Sequence, residues 1–345
     1  MQGNNLTPVM NLVSPRLDKL IWFFFFFIMS LYVLYEHATS CLAIDLATQI
    51  TRHKNIITGT SEFYNPWQYR ILSPYLLESI IQVYNKVLPG KYEILPYLFL
   101  RFIQNMLIFY ISFYYYRALQ IKNPIVIFAG LMLLCYTISN SVFKSDLSFN
   151  TYFDIIFYLL AALVILHERF YWIIPITFLA ALNRETSGFI PFMVVVPFLL
   201  ANRQLLTKEK WIISIASLAL FAIVFISIRL YFGFREAEGI HGMRSPLAYL
   251  KFNLTFFRMY PQLIGTLGLI PFITIFGFRR LPTPLKSWCL LIVPFWFVIH
   301  MVKSTAMESR LFLVPQALIF IPAMLWLIED YYRNHSPGKE SVANV

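Results

Sequence analysis

The stretch from Ile44 to Glu78 gathers residue types that could move a proton and hold an anion at the edge of a bilayer. Asp45 follows the first long apolar run, within SCLAIDLATQITRH. A carboxylate at that place can act as a general base on an incoming hydroxyl; it can also stand as a solvated loop acid. Glu36, beside His37 at the exit of the same run, is a second carboxylate of this kind, although polar residues are common at span ends. Trp67-Gln68-Tyr69-Arg70 comes next, four residues before Pro74. A guanidinium fork binds phosphate oxygens through two hydrogen bonds, and the Trp67 and Tyr69 rings can flank a lipid or stack on a sugar. The same residues also suit an aromatic belt with an interfacial anchor.

Asn183-Arg184-Glu185-Thr186 interrupts the apolar stretch from Tyr171 to Leu200. Arg184 and Glu185 are adjacent, so on a helix their side chains diverge, and each is expected to pair with another segment. Glu185 is a third candidate catalytic carboxylate and Arg184 a candidate anion ligand; an exposed hairpin turn is the plainer reading. Glu308-Ser309-Arg310, with Lys303 before it, opens the last span. Lys144, Asp146 and Asp154 form a further mixed cluster. In the segment 235–258, Arg244 and Arg258 are the candidate substrate ligands, in what reads either as a loop that orders over a substrate or as a plain connector. Arg101, with Gln104 and Asn105, is expected to face the bundle interior beside an acid. His300 reads as a core histidine. Asn253-Leu254-Thr255 matches a glycosylation sequon, a pattern too short to carry weight.

These residues need apolar elements to position them. The chain is 59% hydrophobic and 18% aromatic, with 13% charged residues, about half the charged share of a soluble domain. That composition predicts an all-α, polytopic transmembrane bundle, because lipid leaves only helices or closed barrels as ways to satisfy the backbone. Ten spans are predicted, at 20–35, 92–116, 124–142, 151–167, 171–183, 188–202, 211–234, 261–278, 287–302 and 311–329; the short pair 171–183 and 188–202 reads as two crossings, as two short helices meeting below the membrane surface, or as one long kinked helix. Segment 75–89 carries Glu78, Asn85 and Lys86 and reads as an amphipathic helix lying in the interface. Residues 1–335 form one transmembrane domain and 336–345 a short cytoplasmic tail. The first apolar run, with no small-residue cleavage site after it, reads as a permanent span.

The net charge of +11 reflects loops that anchor helices against anionic headgroups. It does not point to nucleic acid, because no basic run exceeds two residues. The three cysteines lie far apart and outline neither a disulfide framework nor a metal site. The positive-inside rule applies to short loops. With 36–91 and 235–260 set aside, one face holds 13 basic residues and the other holds Lys144, Arg184, Lys303 and Arg310. Both termini are therefore expected to be cytoplasmic. The mixed-charge segments then fall together on the outer face, as one polar site would require.

An acid just after the first span, an aromatic outer loop ending in Tyr69-Arg70-x-x-x-Pro74, and many further spans resemble the GT-C-type glycosyltransferases, most clearly over residues 20–80. The chain differs from that pattern in having no adjacent Asp-Glu pair. The resemblance implies a GT-C-like bundle that transfers a sugar from a polyprenyl-phosphate donor to a hydroxyl of a saccharide or lipid-linked acceptor. It implies Asp45 as the base and Arg70 as a phosphate ligand. Displacement from the far side would invert the anomeric centre. No cofactor is required, since Arg and Lys can neutralise the phosphate, though Asp45, Glu185 and Glu308 leave room for a divalent cation. Membrane lipids are the surrounding partners, and a prokaryotic cell membrane, with the site facing outside, is the expected location. Two other readings stand beside this one. A transporter or flippase for a lipid-linked sugar would need a polar path between faces. A non-catalytic membrane subunit of an envelope polysaccharide assembly would need no base at all.

Overall fold

A computed structural model describes residues 15–60, 67–88, 90, 93–141, 147–201, 204, 206–234 and 245–335. These residues form helices and turns, with no strand among them. The helices are α1 (Pro15–Thr58), α2 (Leu72–Val87), α3 (Leu95–Ala118), α4 (Pro124–Asn140), α5 (Phe149–Leu166), α6 (Ile173–Ala181), α7 (Ile190–Ala201) and α8 (Lys208–Phe232). They continue with α9 (Pro246–Thr255), α10 (Met259–Leu267), α11 (Ile270–Gly277) and α12 (Thr283–Lys303). A last span, Ser309–His335, completes the chain's described part.

Among the described residues, six helices are long and apolar enough to cross a membrane, or seven if the pair around Leu267–Ile270, bent by 68°, is one broken span. The ten-span expectation is therefore not reproduced. The stretches 171–183 and 188–202 become α6 and α7, of nine and 12 residues. At 1.5 Å per residue the longer of them reaches only about 18 Å, against a hydrocarbon core of about 30 Å. Together they form a short hairpin whose polar turn is Asn183–Phe189.

The second departure is α1. It runs unbroken for 44 residues, about 66 Å, so roughly half of it projects past any span. The segment around Asp45, read from sequence as following the span, is a continuation of the same helix. The sequence permits this because neither Gly nor a second Pro occurs between Pro15 and Gly59, and those are the residues that break helices. Asp45 thus lies on the α1 backbone, while the side chains of residues 40–46 fall outside the described residues. Segment 75–89 corresponds to α2, which starts earlier, at Leu72, and takes Pro74 into its first turn, where a missing N–H costs nothing.

Other helix starts follow ordinary capping. The Asn123, Thr207 and Ser245 side chains accept from the backbone N–H groups of Ile125, Lys210 and Ala248, each relieving an orphaned donor. At the far end of the bundle, the Glu329 carboxylate accepts from Lys122 N and Asn123 N, both at 3.2 Å, and so anchors the start of α4. Gly130 of α4 has the Leu325 side chain where a Cβ would stand, a close approach that only a small residue allows.

Burial divides the bundle into layers. The apolar windows of α5 and the last span are 72% and 78% buried, against 22% for α1 and 28% for α8. The former pair is the centre, and the latter face outward with Phe23, Phe24, Ile28, Ile223 and Leu230 exposed, as lipid contact would require. Trp288 and Trp296 sit in the core with indole N–H groups donating to Met193 O and Leu311 O. The bundle is compatible with a multi-pass membrane protein.

Candidate functional site

Four arginines and three carboxylates meet at the end of the bundle where α1 and α8 finish and α5 begins. The Asn183–Phe189 turn supplies the centre. Arg184 points into the bundle and its Nη1 lies 3.2 Å from Asp154 Oδ2 on the first turns of α5. The same carboxylate accepts from Asn183 Nδ2 at 2.8 Å and Thr186 Oγ1 at 3.2 Å. Tyr158 donates to Thr186 O at 2.5 Å. Four groups thus hold the turn against α5, and a charge buried this deeply persists only when paired and hydrogen-bonded.

Glu185 points the other way. Its Oε2 receives Arg70 Nη2 at 3.2 Å and its Oε1 receives Arg229 Nη2 at 3.4 Å. Arg70 comes from the segment just before α2, Arg229 from the last turn of α8. The Arg229 guanidinium also lies over the rings of Phe225 and Tyr69, 3.4 and 4.5 Å from their centroids, a favourable cation–π arrangement. Tyr69 in turn donates to Gly233 O at 2.8 Å. The Trp67-Gln68-Tyr69 turn is therefore stitched to the end of α8, and Leu72 N donates to Leu182 O at 3.1 Å to close the gap to α6.

Glu308 and Arg310 pair with each other, Nη2 to Oε2 at 2.8 Å and Nε to Oε2 at 3.3 Å. Arg310 and Arg70 both lie within electrostatic range of Arg184. Asn253 sets this segment's position. Its Nδ2 donates to Met301 O and Ser304 O, both at 2.8 Å, and its Oδ1 accepts from Ala306 N at 2.9 Å. It is fully buried, so the sequon is a structural lock and offers no surface for a glycan.

The remaining sequence candidates fall elsewhere. Glu36 is half-buried on α1, and among the described residues its carboxylate makes no ion pair. Arg258 is exposed at the start of α10 and Lys303 exposed at the end of α12, and neither joins the ion pairs of the cluster. Arg244 and the Lys144–Asp146 pair lie outside the described residues. Arg101 does face the interior, fully buried, with its guanidinium over the Tyr152 ring, 3.5 Å from the centroid. Glu185 gives both oxygens to guanidinium groups, and Glu308 gives Oε2 to Arg310 while its Oε1 accepts from Thr305 Oγ1 at 3.3 Å, so neither fits a divalent-cation site. Among the described residues no group of three or more His, Cys, Asp or Glu stands where it could hold a metal.

Beside the cluster a recess of about 80 Å³ opens between α1, the Trp67–Arg70 segment, α2 and the start of α5. Gln49, Arg52, His53, Arg70 and Asn150 are among its walls. His53 Nε2 lies 2.9 Å from Glu78 Oε2, and Arg52 sits over the Trp67 ring at 5.1 Å. The hydrogen bond from His53 holds the Glu78 carboxyl below its usual value, against the smaller opposing effect of burial. On the other side of α2, an apolar cleft of about 920 Å³ runs between α1, α2 and α3, with Leu31, Leu76, Ile80, Val83 and Phe99 on its walls. Sequence reading passed over Arg229, His53 and Glu78 as parts of the site. The available signal was Arg229, set among apolar and aromatic residues near a helix end; His53 stands in the polar run Thr51–Asn55 and gave none. Comparison with protein-family models, with curated proteins and with solved structures found no match.

Proposed function

We propose that this chain is an integral-membrane glycosyltransferase of the GT-C type, moving a sugar from a polyprenyl-phosphate donor to an acceptor hydroxyl at the outer face of a prokaryotic cell membrane. The observation that carries this reading is the meeting of Arg70, Arg184, Arg229 and Arg310, from four segments, around three carboxylates at one end of the bundle. Four cations against Asp154, Glu185 and Glu308 leave a positive surplus. Fixed guanidinium groups in a poorly solvated site stabilise charge that develops on a departing phosphate, and Arg70, 15% exposed, is the one placed on the recess wall.

The apolar cleft beside α2 offers the donor's chain a place next to a phosphate held at the recess. An acceptor hydroxyl attacks the anomeric carbon from the far side, the bond to the phosphate oxygen breaks, and the electron pair stays on the phosphate. Clustering of the charges at one end favours an enzyme over a flippase, which needs polar groups along the whole path. The test is transfer of radiolabelled sugar from synthetic polyprenyl-phosphate donors by the purified protein in nanodiscs. Product formation that is lost in Arg70→Ala supports the reading. Absence of transfer across hexosyl and pentosyl donors and a panel of saccharide and lipid-linked acceptors would overturn it.

A further inference from the structure

Three residues that line the recess each carry a buried side-chain nitrogen with no hydrogen-bond partner among the described residues: Gln49 Nε2, His53 Nδ1 and Arg70 Nε. Gln49 and His53 are 7% and 8% exposed. A buried donor or acceptor left unmade costs about 1–3 kcal/mol, so three around one small recess mark a place shaped for something that completes them.

His53 is the informative member. An ionised carboxylate can only accept, so its 2.9 Å contact with Glu78 Oε2 requires the proton on Nε2. In the neutral imidazole Nδ1 then carries a lone pair. Glu78 is itself fixed by Gln82 Nε2, which donates to its other oxygen at 3.1 Å. The imidazole is thus held in one tautomer by an acid on a different helix, the arrangement that makes a histidine an effective proton acceptor. Arg70, the arginine that links the recess to the charged cluster, lines the same recess.

Building on the transferase reading, we infer that His53 is the general base, with Glu78 as its positioning residue, and that the recess receives the acceptor's hydroxyl. A volume of about 80 Å³ accommodates only a few water-sized groups, which suits the hydroxyl end of an acceptor. The step balances: the acceptor O–H proton passes to His53 Nδ1, the acceptor oxygen bonds to the anomeric carbon, and the C–O bond to phosphate breaks with its electrons on the phosphate. Glu78 stabilises the imidazolium. Charged and titratable groups facing His53 are Arg52 on its own helix, Glu78 on α2, Arg70 before α2, and Tyr97 on α3, whose ring centroid is 6.1 Å away.

The experiment is the pH profile of kcat/KM for sugar transfer in nanodiscs, measured on wild type, His53→Gln, His53→Ala and Glu78→Gln, with thermal unfolding as a check on folding. His53→Gln is expected to lower transfer by more than about a hundredfold and to erase the acidic limb. His53→Ala should regain part of its rate with added imidazole. Glu78→Gln should keep the limb but move it to lower pH, because the imidazolium loses its counter-charge. A folded His53→Gln with wild-type transfer would overturn the base assignment alone, as would Asp45→Asn erasing the acidic limb while His53→Gln keeps it. Wild type inert toward every donor would overturn the transferase reading and this inference with it.

Discussion

Arg184 and Asp154 meet at 3.2 Å with side chains 6% and 1% exposed, and they fix the charged turn of the α6–α7 hairpin to the central helix. Removing one partner strands the other's charge in a poorly solvated interior. Asp154→Asn is therefore expected to destabilise the fold by about 3–5 kcal/mol, read as a lower thermal midpoint in detergent. Replacing both residues, Asp154→Leu with Arg184→Met, should recover much of that loss, since no lone charge remains. A double variant as unstable as the sum of the singles would show that the two act separately.

The Arg70–Glu185–Arg229 bridge is a different kind of pair. Its side chains are 15%, 28% and 15% exposed, so water reaches them only in part, and what matters is that a cation stays in place. Arg70→Lys should leave the thermal midpoint nearly unchanged but raise KM for the polyprenyl-phosphate donor, because a lysine keeps the charge and loses the two-pronged geometry. An unchanged KM would remove Arg70 as a phosphate ligand.

How much of this was legible in the sequence follows from what a sequence encodes locally. Divergence of the adjacent Arg184 and Glu185 is a property of the backbone, so their pairing with other segments could be read in advance. Which segments could not: Asp154 and Arg229 become partners only through the packing of α5 and α8 against the hairpin. The continuity of α1 was hidden because the polar run after Thr39 looks like a loop to a hydropathy reading, whereas helix formation depends on the absence of breakers. The span count failed for the related reason that apolarity alone does not distinguish a short hairpin from two crossings. Arg258 and Lys303 were chosen for charge, and charge at a helix end is as well satisfied by water.

Glu78 gives a pH dependence with a definite sign. Its folded-state pKa is depressed by the hydrogen bond from His53. The associated stability is present above the unfolded-chain value of about 4.3, and is lost as pH falls through the lower folded-state value. The difference in thermal midpoint between wild type and Glu78→Gln should therefore be largest near neutrality and shrink below about pH 4. A difference that persists unchanged in acid would mean that the carboxylate's charge contributes nothing.

Asn253 offers a test that separates structure from modification. Its three hydrogen bonds to the Met301–Ala306 segment set where Glu308 and Arg310 stand. Asn253→Ala should cost about 2–4 kcal/mol, from roughly one kcal/mol per bond and the carbonyls left unpaired. Expression in a glycosylating host should give no glycosidase-sensitive change in mobility at this sequon. A glycan on Asn253 would require the residue to leave the core and would contradict its placement.

The direction of α8 decides whether the charged end faces one side of the membrane. Tyr231 and Phe232 at its C-terminal end share a recess with Gly59 and Thr60 just past α1, so that end lies beside Thr58. Thr207 caps the opposite end. The 25 residues between span about 37 Å, more than a hydrocarbon core of about 30 Å. Single cysteines at Thr58 and Thr207, in a chain freed of its own cysteines, should therefore react with an impermeant maleimide from opposite sides of sealed vesicles. For the site to face outward, the Thr58 position must label in intact cells and the Thr207 position only after permeabilisation. Labelling of both from the same side would mean that α8 does not cross the bilayer, and the arginine cluster would lose its place at a membrane face.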